Sequence, residues 1–232
     1  MLKAILLDIE GTTTPIDFVH KVLFPYAKAR VEDLVRAEFN ELGEEILELR
    51  AECEADKTYT DGFDESSPAS IAAYLKHLID IDRKSTPLKT IQGMIWQDGY
   101  ESGELKSVVF DDVPPAFERW KSEGKTIAIY SSGSVLAQQY LFRYTDHGDL
   151  TPFISDYFDT NVGGKRDTAS YQAIAGALDI DGSDILFVSD IPAELDAARS
   201  TGLQTVLSIR PGNIEVAEDP IHPIVRSFDE LP

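Results

Sequence analysis

Lys3-Ala4-Ile5-Leu6-Leu7-Asp8-Ile9-Glu10-Gly11-Thr12-Thr13-Thr14 is the stretch on which the reading of this chain turns. The apolar run from Ala4 to Leu7 shows no alternation, the pattern of a central parallel strand covered on both faces. It stops at Asp8; Glu10 follows two residues on, then a glycine and three threonines. In open α/β sheets ligands sit beyond the carboxyl ends of the strands, which is where Asp8 would lie. Gly11 allows a sharp turn and a close backbone approach. Such a set suits a carboxylate nucleophile that accepts a phosphoryl group, with a second carboxyl to move protons. The plain alternative is two solvated acids where a strand leaves the core.

Downstream of Pro15 the pattern turns helical, through Val19, Val22, Leu23, Ala27, Val31, Leu34 and Val35, and again through Ile46, Leu47 and Leu49. Ser67-Pro68 and Thr86-Pro87 each read as a hydroxyl cap followed by a proline in the first turn of a helix. The first strand-like run after Leu7 is Val108-Val109-Phe110. Residues 16–106 therefore form a mostly helical insert of about 90 residues, where an ordinary βα loop has about 2 to 6. An insert of that size is a second domain, leaving residues 1–15 and 107–232 as the core. From Val113 onward helices and strands alternate: a helix from Pro114 to Gly124, a strand Thr126–Tyr130, and a helix through Val135 and Leu141. A strand follows at Tyr157-Phe158, then a helix Ala169–Leu178, a strand Ile185–Val188, a helix from Pro192 and a last strand Gln204–Ile209. This alternation predicts an α/β fold with a doubly wound parallel sheet. The proline-containing end from Pro211 reads as a tail.

Strand ends of one parallel sheet converge on one edge. That edge gathers Asp8 and Glu10, Ser131 and Ser132, Ser189 and Asp190, and Lys165 after the short strand. Asp8 and Asp190 supply the carboxylates that magnesium accepts alongside waters and a phosphate oxygen. Glu10 adds a backbone carbonyl and a proton for the leaving oxygen. Ser131 and the amides around Gly133 would hold phosphoryl oxygens, and Lys165 would offset charge in the transition state. Each has a duller reading: Ser131 and Asp190 as helix caps, Lys165 as a surface lysine. Gly164-Lys165 is not a phosphate-binding loop, since Arg166 follows where a hydroxyl residue is required and Asp159 replaces the first glycine. His20, His77, His147 and His222 have no metal-ligand spacing.

Lys and Arg total 21 against 41 Asp and Glu, a net charge of -20. That surface repels nucleic acid and anionic membranes, and it obliges any phosphate site to carry local positive charge. Cys53 is the one cysteine, so no intrachain disulfide forms. Charges at Lys3 and Asp8 interrupt any signal-peptide core, and no apolar run approaches a membrane span, so a cytoplasmic location is expected.

Asp8, Ser131, Lys165 and Asp190 resemble the motifs of the haloacid dehalogenase superfamily of phosphohydrolases. Glu10 departs from the usual second aspartate, and with it Asp8-Ile9-Glu10-Gly11-Thr12-Thr13 resembles the enolase-phosphatase family of methionine salvage, also called acireductone synthases. Gln92-Gly93-Met94-Ile95-Trp96-Gln97-Asp98-Gly99-Tyr100, Val113-Pro114-Pro115-Ala116, Tyr130-Ser131-Ser132-Gly133-Ser134-Val135, and Phe187-Val188-Ser189-Asp190 with Glu194-Leu195-Asp196-Ala197-Ala198 carry the same likeness. Residues 42–64 match nothing specific. The resemblance implies a Mg2+-dependent monomer with a haloacid dehalogenase-like core and a helical cap. It implies conversion of 2,3-diketo-5-methylthiopentyl 1-phosphate to acireductone and phosphate. It also implies that Asp8, Glu10 and Asp190 hold the metal, that Ser131, Ser132 and Lys165 bind substrate, and that Asp8, Glu10 and Lys165 act in catalysis. The enolising base is left open between Lys165 and Glu10. Two other readings compete: a capped phosphatase for another small phosphomonoester, and a phospho-accepting receiver module. A receiver carries its aspartate on the third strand and has no large insert after the first.

Overall fold

The first apolar run lacks alternation because both of its faces are covered. In the computed structural model, which describes residues 2–213 and 221–232, β1 (Ala4–Leu7) is wholly buried. Parallel neighbours flank it on both sides, β2 (Thr126–Tyr130) with Leu7 opposite Ile129, and β4 (Ile185–Ser189) with Leu7 opposite Val188. β3 (Asp156–Phe158), β5 (Gln204–Ser208) and β6 (Ile224–Val225) complete a parallel sheet of order β3-β2-β1-β4-β5-β6.

Side chains one apart on a strand point to opposite faces. Ile5, Leu7, Ile127, Ile129 and Val188 pack on one face against Phe117 and Trp120 of α6 (Val113–Ser122) and Phe142 of α7 (Val135–Arg143). Ala4, Leu6, Ala128, Tyr130 and Phe187 pack on the other against Tyr171 of α8 (Thr168–Leu178) and Leu195 of α9 (Pro192–Arg199). The doubly wound sheet expected from the alternation is the one observed.

Three local expectations need correction. Val108–Phe110 is not a strand: Ser107 makes an isolated bridge to Thr145, and the amide of Phe110 donates to Thr13 O at 3.0 Å. The cap of the helix at Thr86-Pro87 is the preceding Ser85, whose hydroxyl accepts from Leu88 N. The C-terminal end is not a tail. Residues 214–220 lie outside the described residues, but Val225 pairs with Ser208, Phe228 is fully buried, and Trp120 Nε1 donates to Pro232 O at 2.9 Å. Arg210, sandwiched between the rings of Phe110 and Phe228, donates to Thr12 O, Asp112 Oδ2 and Arg226 O. An arginine in that position ties the end of the chain to the first loop.

The chain separates into two compact units, one of them His20–Leu105. That unit is helical. α1 (Ile16–Phe18), the last part of the other unit's first segment, leads through a π-helical turn, Val19–Leu23, into this unit's α2 (Phe24–Ala37), followed by α3 (Gly43–Ala55), α4 (Pro68–Asp80) and α5 (Thr86–Glu101). Pro25 has no amide to give the carbonyl four residues back, and the helix widens just before it. Val31, Val35, Leu49, Leu75 and Ile91 form its core. Ile46 and Leu49 are buried while Leu47 is exposed, so the 42–64 segment joins this core through one face of α3. Trp96 also serves this core: it packs against the cluster and its Nε1 donates to Leu23 O at 3.0 Å. Among the described residues no helix is long and apolar enough to cross a membrane.

Candidate active site

β1 delivers Asp8 to the carboxyl edge of the sheet, where its amide still bonds Val188 O at 3.0 Å. The residue is 5% exposed. One carboxylate oxygen accepts from Ile9 N at 2.7 Å and lies 2.6 Å from Lys165 Nζ; the other accepts from Ser189 Oγ at 3.2 Å. Lys165 comes from the loop after β3, and that loop is fixed by its neighbours. Tyr130 Oη donates to Gly163 O, Ser170 Oγ to Gly164 O, and Tyr171 Oη to Lys165 O at 2.6 Å. Gly163 has φ +134°, and a side chain there would run into Ser170 Oγ. The loop thus needs glycine twice over, for conformation and for space.

Lys165 Nζ is also 2.7 Å from Glu194 Oε2, and Ser189 Oγ lies 3.0 Å from the same carboxylate, its single proton shared between Asp8 and Glu194. The motifs at the strand ends named Ser189 only in passing and did not single out Glu194 as a functional residue. A signal was present: a glutamate two residues after the proline that starts α9, in a helix whose first turn faces the sheet, becomes a buried charge in need of a partner.

Asp190, beside Ser189, does not cap α9. The cap position is Ile191, with no side-chain capping bond. Burial, with the like charge of Asp8 added, pushes the Asp190 carboxyl up to about 7. Burial likewise raises Glu194, against the pull of Lys165. Burial works against the Lys165 ammonium, but Asp8 and Glu194 outweigh it and hold its pKa above the ordinary lysine value. One ammonium thus stands among three acids, a surplus of negative charge facing the sheet edge. Gly11, at φ +69°, leaves that edge open. A methyl group on it would collide with the Asp190 carboxylate.

Glu10 sits half-buried in the turn that leaves β1, where the amides of Thr12, Thr13 and Thr14 all donate to Ile9 O. Ser131 is buried at the end of β2, its amide bonded to Phe158 O and its hydroxyl accepting from Gly133 N at 3.3 Å. Ser134, not Ser131, caps α7. Gln138 Nε2 donates to Gly133 O and Phe158 O and so fixes the turn that holds Ser131 and the half-buried Ser132.

Two carboxylates beside a carbonyl-bearing turn make a hard-oxygen donor set, short of a complete protein cage. Among the described residues no group of three or more His, Cys, Asp or Glu is placed to hold a metal. That composition fits magnesium, which keeps waters and takes a substrate oxygen, better than zinc.

The haloacid dehalogenase-like hydrolase model matches residues 2–202. "Enolase-phosphatase E1" of Synechococcus elongatus is 52% identical over 241 aligned residues, covering 99% of this chain and 98% of the relative. The protein of that name from Leptospira borgpetersenii is 50% identical, covering 97% and 96%. The crystal structure of the UTR4 protein of Saccharomyces cerevisiae superposes with a TM-score of 0.80 at 35% identity, covering all of both chains.

Proposed function

Since this chain belongs to the haloacid dehalogenase-like hydrolases, and within them to the enolase-phosphatase E1 proteins, we propose that it converts 2,3-diketo-5-methylthiopentyl 1-phosphate to acireductone and phosphate in methionine salvage. The observation that carries this reading is the identity of about one residue in two with those relatives across almost the whole chain, helical insert included. The runs Asp8 to Thr13 and Gln92 to Tyr100 support it from the sequence side.

Asp8 is the nucleophile. It stands at the end of the central strand, with its orientation set by Ile9 N, Lys165 and Ser189. Its carboxylate oxygen attacks phosphorus in line with the leaving oxygen, forming an aspartyl phosphate that water then cleaves. Asp8, Asp190 and the Glu10 carbonyl would hold Mg2+, which would supply the positive charge that this acidic edge lacks. Ser131, Ser132 and the amides of their turn bind the phosphoryl oxygens.

Enolisation needs a base at the carbon-bound proton. Lys165, 2.6 Å and 2.7 Å from two carboxylates, is an ammonium without a free lone pair, so it acts as charge partner and substrate ligand. Glu10 takes the proton and returns it to the leaving oxygen in the second step. The helical unit acts as the cap that excludes water and reads the methylthio chain. We take the protein to be a cytoplasmic monomer whose partner is this small phosphate ester, without nucleic acid or membrane. The net charge of -20 supports the last point.

The test is phosphate release from the diketo phosphate with and without magnesium. Magnesium-dependent turnover well above that on a panel of sugar and aryl phosphates is expected. Equal turnover across the panel would favour a phosphatase for another phosphomonoester.

A further inference from the structure

The loop after β5 was not among the strand ends singled out from the sequence, yet it reaches the same edge. Its last described residue, Asn213, donates from Nδ2 to Gly11 O at 2.9 Å and more weakly to Ser208 O at 3.4 Å. Two carbonyl acceptors fix the amide. Turned the other way, it would place Oδ1 against two carbonyl oxygens. Asn213 Oδ1 consequently points away from them, and it is buried without any hydrogen-bond partner. Its surroundings are given by the missing side chain of Gly11. The point a Cβ would occupy there is 2.8 Å from Asp190 Cγ and 3.0 Å from Asn213 Oδ1. The orphan oxygen and the Asp190 carboxylate therefore both border the position that a side chain on Gly11 would fill, and with Asp190 ionised neither is a donor.

A buried carbonyl oxygen with no partner is unfavourable and calls for an explanation. One facing a carboxylate across a glycine has a natural one: both oxygens accept from a donor that arrives with the ligand. We propose that Asn213 is a positioning residue of the metal site. Its Oδ1 accepts a hydrogen bond from the hydration shell of the magnesium ion held by Asp8 and Asp190, while its Nδ2 braces the Gly11 turn. The inference rests on the magnesium reading given above. Magnesium retains several waters when it binds protein carboxylates, and those waters need acceptors. Groups that orient a metal's ligands from outside commonly change affinity 10- to 100-fold when removed.

The experiment is calorimetric titration of the full-length, phosphate-free protein with Mg2+ alone, for wild type, Asn213→Ala and Asn213→Asp. Thermal melts in EDTA establish that each is folded. The proposal expects Asn213→Ala to weaken the magnesium Kd by about tenfold or more. It expects Asn213→Asp, which keeps the acceptor and loses the donor, to bind at least as well as wild type. Equal Kd values for wild type and Asn213→Ala would overturn it. So would Asn213→Asp binding as weakly as Asn213→Ala, since the brace at Gly11 would then be the whole role. If Asn213→Ala does not fold, the Asn213→Asp comparison with wild type decides alone: a tenfold weaker Kd overturns the proposal, an undiminished one supports it. Wild type failing to bind Mg2+ at millimolar concentration would remove the magnesium reading itself, and the inference with it.

Discussion

Two half-buried acidic sites, one in each unit, are built on opposite principles. In the helical unit Asp56 is surrounded by donors. Thr58 N and Oγ1 donate to it at 2.8 and 2.6 Å, with Arg83 and His77 at 3.5 and 3.6 Å. The Thr58 hydroxyl and amide hold its carboxyl below the usual range. In the sheet unit Asp190 is half-buried beside Asp8, and its carboxyl is pushed up to about 7. The first carboxylate fastens the end of α3 to α4; the second is left at odds with its neighbour. The first carboxylate is satisfied by the chain itself, whereas the second is one that the proposed magnesium ion would compensate.

Lys165→Met tests that contrast most severely. It removes the one ammonium shared by Asp8 and Glu194, leaving buried acids uncompensated, and is expected to cost about 3 to 5 kcal/mol of stability. Chemical denaturation measures it. A loss below about 1 kcal/mol, the worth of a surface pair, would mean the three acids do not depend on that lysine.

Asp190→Asn and Asp56→Asn should move stability in opposite directions. In EDTA at pH 7 the melting temperature of Asp190→Asn is expected to rise, because a like charge beside Asp8 has gone, and its further increase on adding Mg2+ to shrink. Asp56→Asn should melt lower at pH 7. Since the folded-state pKa of Asp56 is depressed, its contribution is present above about pH 4 and is lost as pH falls through the folded value. The gap between wild type and Asp56→Asn should thus narrow as the pH is lowered below about 4. Two shifts of the same sign at pH 7 would erase the distinction.

The smallest effect is expected at Trp96. Trp96→Phe keeps the aromatic packing but gives up the bond to Leu23 O, a loss of about 1 kcal/mol. Steady-state kinetics should show an unchanged ratio of kcat/KM for the diketo phosphate over a small aryl phosphate. A changed ratio would place this side chain against substrate.

Much of the sheet was legible because burial on both faces leaves a period-free apolar run that ends sharply, as at Leu7 and Val188. The acids at those ends were legible because a charge following such a run has few structural excuses. The C-terminal return was not, since Phe228 and Pro232 are held by partners more than 100 residues away, Trp120 and Arg119. Glu194 and Asn213 stayed hidden for the same reason. A helix-start glutamate and a loop asparagine look solvated until Lys165 and Gly11 are brought beside them. Val108–Phe110 misled because β-branched residues suit a strand wherever they occur, while here the amide of Phe110 is taken by Thr13 O.

The central claim, one edge performing enolisation and then phosphoryl transfer to Asp8, is tested most directly in the Asp8→Asn protein with magnesium and the diketo phosphate. Phosphate and ultraviolet absorbance are followed together. The account predicts that phosphate release falls at least about a thousandfold, a loss of about 4 kcal/mol of barrier stabilisation, while the absorbance of a phosphorylated enol builds up. Phosphate release at even a tenth of the wild-type rate would contradict the assignment of Asp8 as the nucleophile.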